Sequence, residues 1–119
     1  MTTPLLVASL MVVLGSLLGV IAWAAGGRRL HPNSALGIRT ASTQVSDEAW
    51  YSGQAAAASW TGRAAVVLLL GGLVLLALVG AGATLVGFNL VALPIFGLVI
   101  WLFVRSVRAA DEAAGRAHD

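Results

Sequence analysis

The sequence predicts an all-α integral membrane protein with three transmembrane helices, and three observations carry that expectation. Hydrophobic residues fill 59% of the 119 positions and charged residues 10%, against roughly 45–50% and about 25% in soluble domains. Three long stretches hold no charged side chain. All seven basic residues are arginines, and they gather on one side of the topology those stretches define. With a mean hydropathy of +0.92, so short a chain has no water-soluble core large enough to hide its apolar surface. Lipid is therefore its main solvent, an ordinary soluble enzyme is excluded, and residues 1–119 read as a single membrane domain.

The first span is expected from about residue 4 to residue 25, the second from 64 to about 82, and the third from about 86 to 104. Each approaches the ~20 apolar residues that a helix needs to cross the hydrocarbon core. Helix is the natural conformation there, because lipid offers the backbone no hydrogen-bond partners. The stretches are too unbroken for the alternating strands of a barrel. Residues 64–104 form one apolar run of about twice a single crossing, so the chain must turn back within it. Two turns compete, one at Gly80–Ala83 and one at Gly87–Asn89, since Gly tolerates positive φ and Asn suits a helix start. Ala22-Trp23-Ala24 offers a small-residue cleavage site. No basic residue precedes it and Arg28–Arg29 follow, the reverse of a signal peptide, so the segment is expected to remain as a span.

Arg28, Arg29, Arg39 and Arg63 lie between the first and second spans, and Arg105, Arg108 and Arg116 follow the third. The positive-inside rule places that side in the cytoplasm, so the expected topology is N-out and C-in. Residues 26–63 then form a cytoplasmic loop and 105–119 a cytoplasmic tail. Trp23, Trp60 and Trp101 sit near the arginine-rich ends of the spans, where an indole ring is half-solvated in the headgroup layer. The pI near 10.5 is explained by these boundary arginines, and no nucleic-acid partner is expected.

Gly15 and Gly19 form a GxxxG pair that permits close helix approach, either to a second copy in a homo-oligomer or within one bundle. Gly71, Gly72 and Ala77 give the second span a small face, and Gly97 does so in the third. Pro94 removes a backbone donor inside the third span and is expected to kink it.

The first loop holds the most information. Gly26–Gly27 can end the first helix, and Arg28–Arg29 then lie at its negative dipole end beside anionic lipid. Pro32-Asn33 and Gly37 are turn residues. Ser46 or Thr43 can cap a new helix with Asp47 and Glu48 in its first turn. This Ala-rich helix is expected as a short interfacial element before the second span, or as an extension of that span into the cytosol. In the tail, Arg108, Glu112 and Arg116 are spaced four apart, so a helical extension of the third span competes with a solvated, fraying end.

Pro32-Asn33, Gly37-Ile38-Arg39-Thr40, Thr43 and Asp47-Glu48-Ala49-Trp50 together resemble the signature of the SdpI family. That signature has an Asn, a Gly-Ile-Arg-Thr run, a second Thr and a Trp between two spans. Where the family often has Pro-Trp after the Gly-Arg-Thr core and Thr-His after the Trp, this chain has Ala41-Ser42 and Ser52-Gly53-Gln54. The resemblance implies a multi-pass protein of the bacterial inner membrane. It also implies action by binding, in toxin immunity or signalling, with a secreted toxin peptide or a cytoplasmic repressor as partner. The family's founding member is longer, and this chain resembles its C-terminal three-span half. The site residues implied are Asn33, Gly37, Arg39, Thr40, Thr43 and Trp50.

Read as chemistry, Arg39 either binds an anionic partner or lipid phosphate, or pairs with Asp47 or Glu48 and locks the loop. Asn33, Thr40 and Thr43 suit turn and cap roles. His31 and His118 are isolated, so no metal site is expected. No cofactor is expected either, since a chain without lysine has no P-loop. No span carries an ionisable group, which argues against a proton-coupled transporter. The alternative to an immunity or signalling protein is a small accessory subunit of a larger membrane complex. An oligomeric channel or transporter ranks below both.

Overall fold

The computed structural model describes residues 2–32 and 36–118. Three helices account for most of them: α1 (Thr2–Gly26), α2 (Asp47–Gly80) and α3 (Leu85–His118). Each is long and apolar enough to cross a membrane, and no strand occurs among the described residues. At 1.5 Å per residue, the 34 residues of α2 and of α3 reach about 51 Å, in keeping with a longest molecular extent of 54 Å. The hydrocarbon core takes only ~30 Å of that length. α2 and α3 therefore project together beyond it at the arginine-rich end.

α2 is the shared element. It packs on α1 along one side and on α3 along the other. Its adjacent glycines divide the work, because neighbouring helical positions point about 100° apart. A Cβ on Gly72 would lie 2.8 Å from Val12 Cγ2 and 3.0 Å from the Ala8 carbonyl oxygen of α1. One on Gly71 would lie 3.0 Å from Ile95 Cγ2 of α3. Gly15 answers from α1, where a Cβ would lie 2.7 Å from the Leu69 amide nitrogen. Small residues thus face inward, joined by Met11, Leu68, Leu75 and Phe88 in the core. Large aliphatic side chains such as Leu10, Val20, Leu70, Leu90 and Leu93 face outward. That inversion suits a lipid solvent, which gives buried leucine no advantage over exposed leucine.

The turn between α2 and α3 falls at Gly80–Ala83 and not at Gly87–Asn89. Gly82 adopts φ +80°. The Gly82 amide donates to the Val79 carbonyl at 3.1 Å and the Ala83 amide to the Leu78 carbonyl at 2.9 Å. This is a Schellman ending, which satisfies the last carbonyls of α2. Thr84 Oγ1 then accepts from the Gly87 amide at 3.1 Å and caps α3.

At the projecting end the structure selects between alternatives that the sequence leaves open. The short interfacial helix is not a separate element, because α2 runs continuously from its Ser46 cap to Gly80. The tail is not a fraying end, because α3 continues unbroken through Pro94 to His118. One cause explains both. Ser106, Ala110 and Ala114 of α3 are buried, and Gly53 of α2 lets them close, since a Cβ there would lie 2.9 Å from the Ala110 carbonyl oxygen. Thr61 and Ser106 complete the contact with a buried hydroxyl pair at 2.6 Å.

The glycine packing yields a paired test. Gly15→Ala is expected to destabilise the purified protein by roughly 1–3 kcal/mol, through overpacking against rigid backbone. Gly97→Ala, whose Cβ would meet nothing within 4 Å, should be neutral or slightly stabilising. Thermal unfolding in detergent micelles reads both, and equal effects would refute the packing account.

Candidate functional site

The described residues of the connection from α1 to α2 fold over the start of α2. It begins with an unusual helix ending. The Arg28 amide donates to the Ala25 carbonyl at 3.2 Å and the Arg29 amide to the Ala24 carbonyl at 2.8 Å. The residue in the left-handed region is Arg28 itself, at φ 59°, where glycine is the usual occupant. That conformation costs a side-chain-bearing residue about 1–2 kcal/mol. The Arg28 side chain offers compensation. Its guanidinium donates to Glu48 Oε2 at 2.8 Å and sits 5.4 Å from the Tyr51 ring centroid.

Trp50 is the anchor. It is 1% exposed, and its indole N–H donates to the Leu30 carbonyl at 2.8 Å. With Ala25 and Leu30 it forms a small core distinct from that of the spans. Gly37 is required beside it on two counts. Its φ is +108°, and a Cβ would lie 2.9 Å from both Trp50 Cζ2 and Leu30 Cδ2.

Gln54, one turn beyond Trp50 and 2% exposed, serves the backbone of Ile38 twice. Its Oε1 accepts from the Ile38 amide at 2.9 Å and its Nε2 donates to the Ile38 carbonyl at 2.7 Å. The side-chain amide thus pairs with one loop residue much as a neighbouring strand would. Thr43, fully buried, closes the turn that follows. Its Oγ1 accepts from the Thr40 amide at 2.8 Å, and its hydroxyl proton is shared between the carbonyls of Ile38 and Thr40, both at 3.1 Å. Thr40 returns the contact, its Oγ1 accepting from the Thr43 amide at 3.2 Å.

The structure therefore brings Gly37, Arg39, Thr40, Thr43 and Trp50 together, while Asn33 lies outside the described residues. Arg39 is exposed and stands over the Trp50 ring, 5.1 Å from its centroid. Glu48, one of the two carboxylates expected to hold Arg39, is engaged elsewhere, by Arg28 and by the Ser52 hydroxyl at 3.0 Å. The hydrogen bond from Arg28, helped by that from Ser52, holds the Glu48 carboxyl below its ordinary range. Gln54 escaped the sequence reading. Its one signal was a lone amide in an alanine run, four positions after the tryptophan and so on the same helix face.

Beside this loop an apolar cleft of about 380 Å³ opens between α1 and α3, with α2 as its floor. Leu18 and Ile21 form one wall, Phe103 and Val107 the other, and Ile38 and Arg39 border its polar end. Among the described residues no group of three or more His, Asp or Glu side chains comes together. The arrangement holds the exposed Arg39 guanidinium at the border of this cleft.

A protein-family model described as the SdpI/YfhL protein family matches residues 29–104. The match takes in the loop, all of α2 and α3 as far as Val104. No curated protein and no solved structure matches the chain.

Two outcomes are expected of the loop. Gln54→Leu leaves the Ile38 amide unpaired, a cost of about 1–3 kcal/mol. Hydrogen exchange should show residues 38–43 opening while the spans keep their protection, and unchanged protection there would refute the pairing. Glu48, with its depressed folded value, adds stability that is present above its unfolded value and fades as pH falls through the lowered one. A carbon-detected titration should place Glu48 below an ordinary glutamate. In Arg28→Gln it should move back up.

Proposed function

The chain belongs to the SdpI/YfhL protein family, and from that premise we propose a binding protein of toxin immunity or signalling, without catalysis, in the inner membrane of a bacterium. The loop from Asn33 to Trp50 is its platform on the cytoplasmic side. A secreted toxin peptide or a cytoplasmic repressor is the partner.

One observation carries this reading. Two buried polar side chains, Thr43 of the loop and Gln54 of α2, fix the loop backbone, and the residue thereby presented at the surface is Arg39. A rigid loop binds with less ordering cost than a mobile one, and a planar five-donor guanidinium suits an anionic partner. Gathering of the arginines at one end supports the N-out, C-in orientation through the positive-inside rule.

The second reading, an accessory subunit of a larger membrane complex, draws on a different surface. α1 and α2 leave a groove of about 510 Å³ on the side away from α3, lined by Gly15, Gly19, Trp23 and Val66. Gly15 already receives α2, yet a Cβ on Gly19 would come no nearer than 3.9 Å to Ala65 Cβ. Room therefore remains there for a helix of another subunit or of a second copy.

Photo-crosslinking in native membranes from a probe at Gln44 separates the readings. The expected result is a discrete protein adduct that Arg39→Gln reduces at least tenfold while the membrane level of the chain holds. An adduct indifferent to Arg39 would overturn the loop as the platform. Recovery of one stoichiometric large complex in mild detergent would favour the accessory subunit.

A further inference from the structure

Trp60 gathers guanidinium groups from two helices. Arg63, on the next turn of α2, lies 4.5 Å from its ring centroid, and Arg105 of α3 lies 5.4 Å from it. Arg105 also stands 5.3 Å from the Trp101 ring, which meets Trp60 edge-on at 6.0 Å and 86°. Two cations held against one ring are within about 10 Å of each other. Among the described residues, no carboxylate forms an ion pair with either. Beside them Trp60, Arg105, Arg108 and Glu112 line a hollow of about 220 Å³. Even counting Glu112, the local charge is positive, and it is concentrated where two helices leave the membrane.

Position tells what this charge is for. Tryptophan rings favour the headgroup layer, and basic pockets between helices at that depth suit lipid phosphates. Exposed Leu70 of α2 and Leu98 of α3 continue from the cluster toward the membrane centre, where acyl chains would lie. We propose that Trp60, Arg63, Arg105 and Arg108 form a seat for the phosphate of an anionic phospholipid, bridging α2 and α3 at headgroup depth. The rings hold the guanidinium groups in place, and the lipid supplies the counter-charge that the described residues lack. Guanidinium is suited to the task because it donates in a planar fork to phosphate oxygens while its face stays on an aromatic ring.

The test uses the full chain purified in a neutral detergent and titrated with phosphatidylglycerol or with phosphatidylcholine of the same acyl chains. Native mass spectrometry reads the retained lipid. Phosphatidylglycerol should be retained preferentially. Each guanidinium removed should weaken it about 5-fold, and Arg63→Gln with Arg105→Gln roughly 25-fold, leaving phosphatidylcholine unaffected. The paired lysine variant should keep most of the preference. Arg116→Gln, an equal loss of charge further along the tail, should keep all of it. An unchanged preference in the double glutamine variant overturns the seat, and so does an equal loss from Arg116→Gln. Displacement of the lipid by millimolar inorganic phosphate would also overturn it, by reassigning the site to a free anion. Should the double variant fail to fold, Arg105→Gln alone carries the comparison at its 5-fold level.

Discussion

The rest of the structure depends on the close approach of helix backbones at a few glycines. In lipid, packing leucine against leucine gains little over leaving it among acyl chains. Adhesion must come from dispersion between surfaces that meet without gaps, and from polar groups whose alternatives are poor. Gly15 and Gly72 supply the first between α1 and α2, and Gly71 supplies it between α2 and α3. Because Gly71 and Gly72 are neighbours in sequence, α2 meets both partners at one level, and side chains of all three helices share one core there.

At the projecting end the packing rule is the same but the adhesive changes. Water is available there, so burying alanine at positions 110 and 114 gains transfer free energy as well as contact. The Thr61–Ser106 pair obeys a further requirement: two hydroxyls buried between helices satisfy one another at 2.6 Å, and the Ser106 hydroxyl also reaches the Ala57 carbonyl at 3.4 Å. Neither is left unpaired, which would cost about 1–3 kcal/mol.

Much of this was legible in the sequence. Three charge-free stretches gave the spans, and the family-like residues Gly37, Arg39, Thr40, Thr43 and Trp50 do converge in space. Ser46 caps α2 through the Ala49 amide at 3.1 Å, as a serine before two acids suggests. What stayed hidden depends on contacts distant in sequence. Nothing local marks Gln54 as the partner of Ile38, sixteen positions away. Nothing local shows that the tail docks on residues 53–61, since alanine is equally at home on an exposed helix. Arg28 in the left-handed region runs against local preference, and its compensation comes from Glu48 and Tyr51, themselves twenty or more positions on.

Gly53 shows how the loop and the tail became parts of one construction. A Cβ there would lie 2.9 Å from Thr43 Cγ2 of the loop and 2.9 Å from the Ala110 carbonyl oxygen of α3. Two segments more than sixty residues apart thus press on the same point of α2. At the next position, Gln54 ties down Ile38, and with it the backbone next to Arg39. The position of the exposed guanidinium is therefore set by α2, and the start of α2 is packed in turn against α3. The described residues of the loop form no helix or strand of their own and are held in place by a helical pair, and small residues are what let that pair close past the lipid.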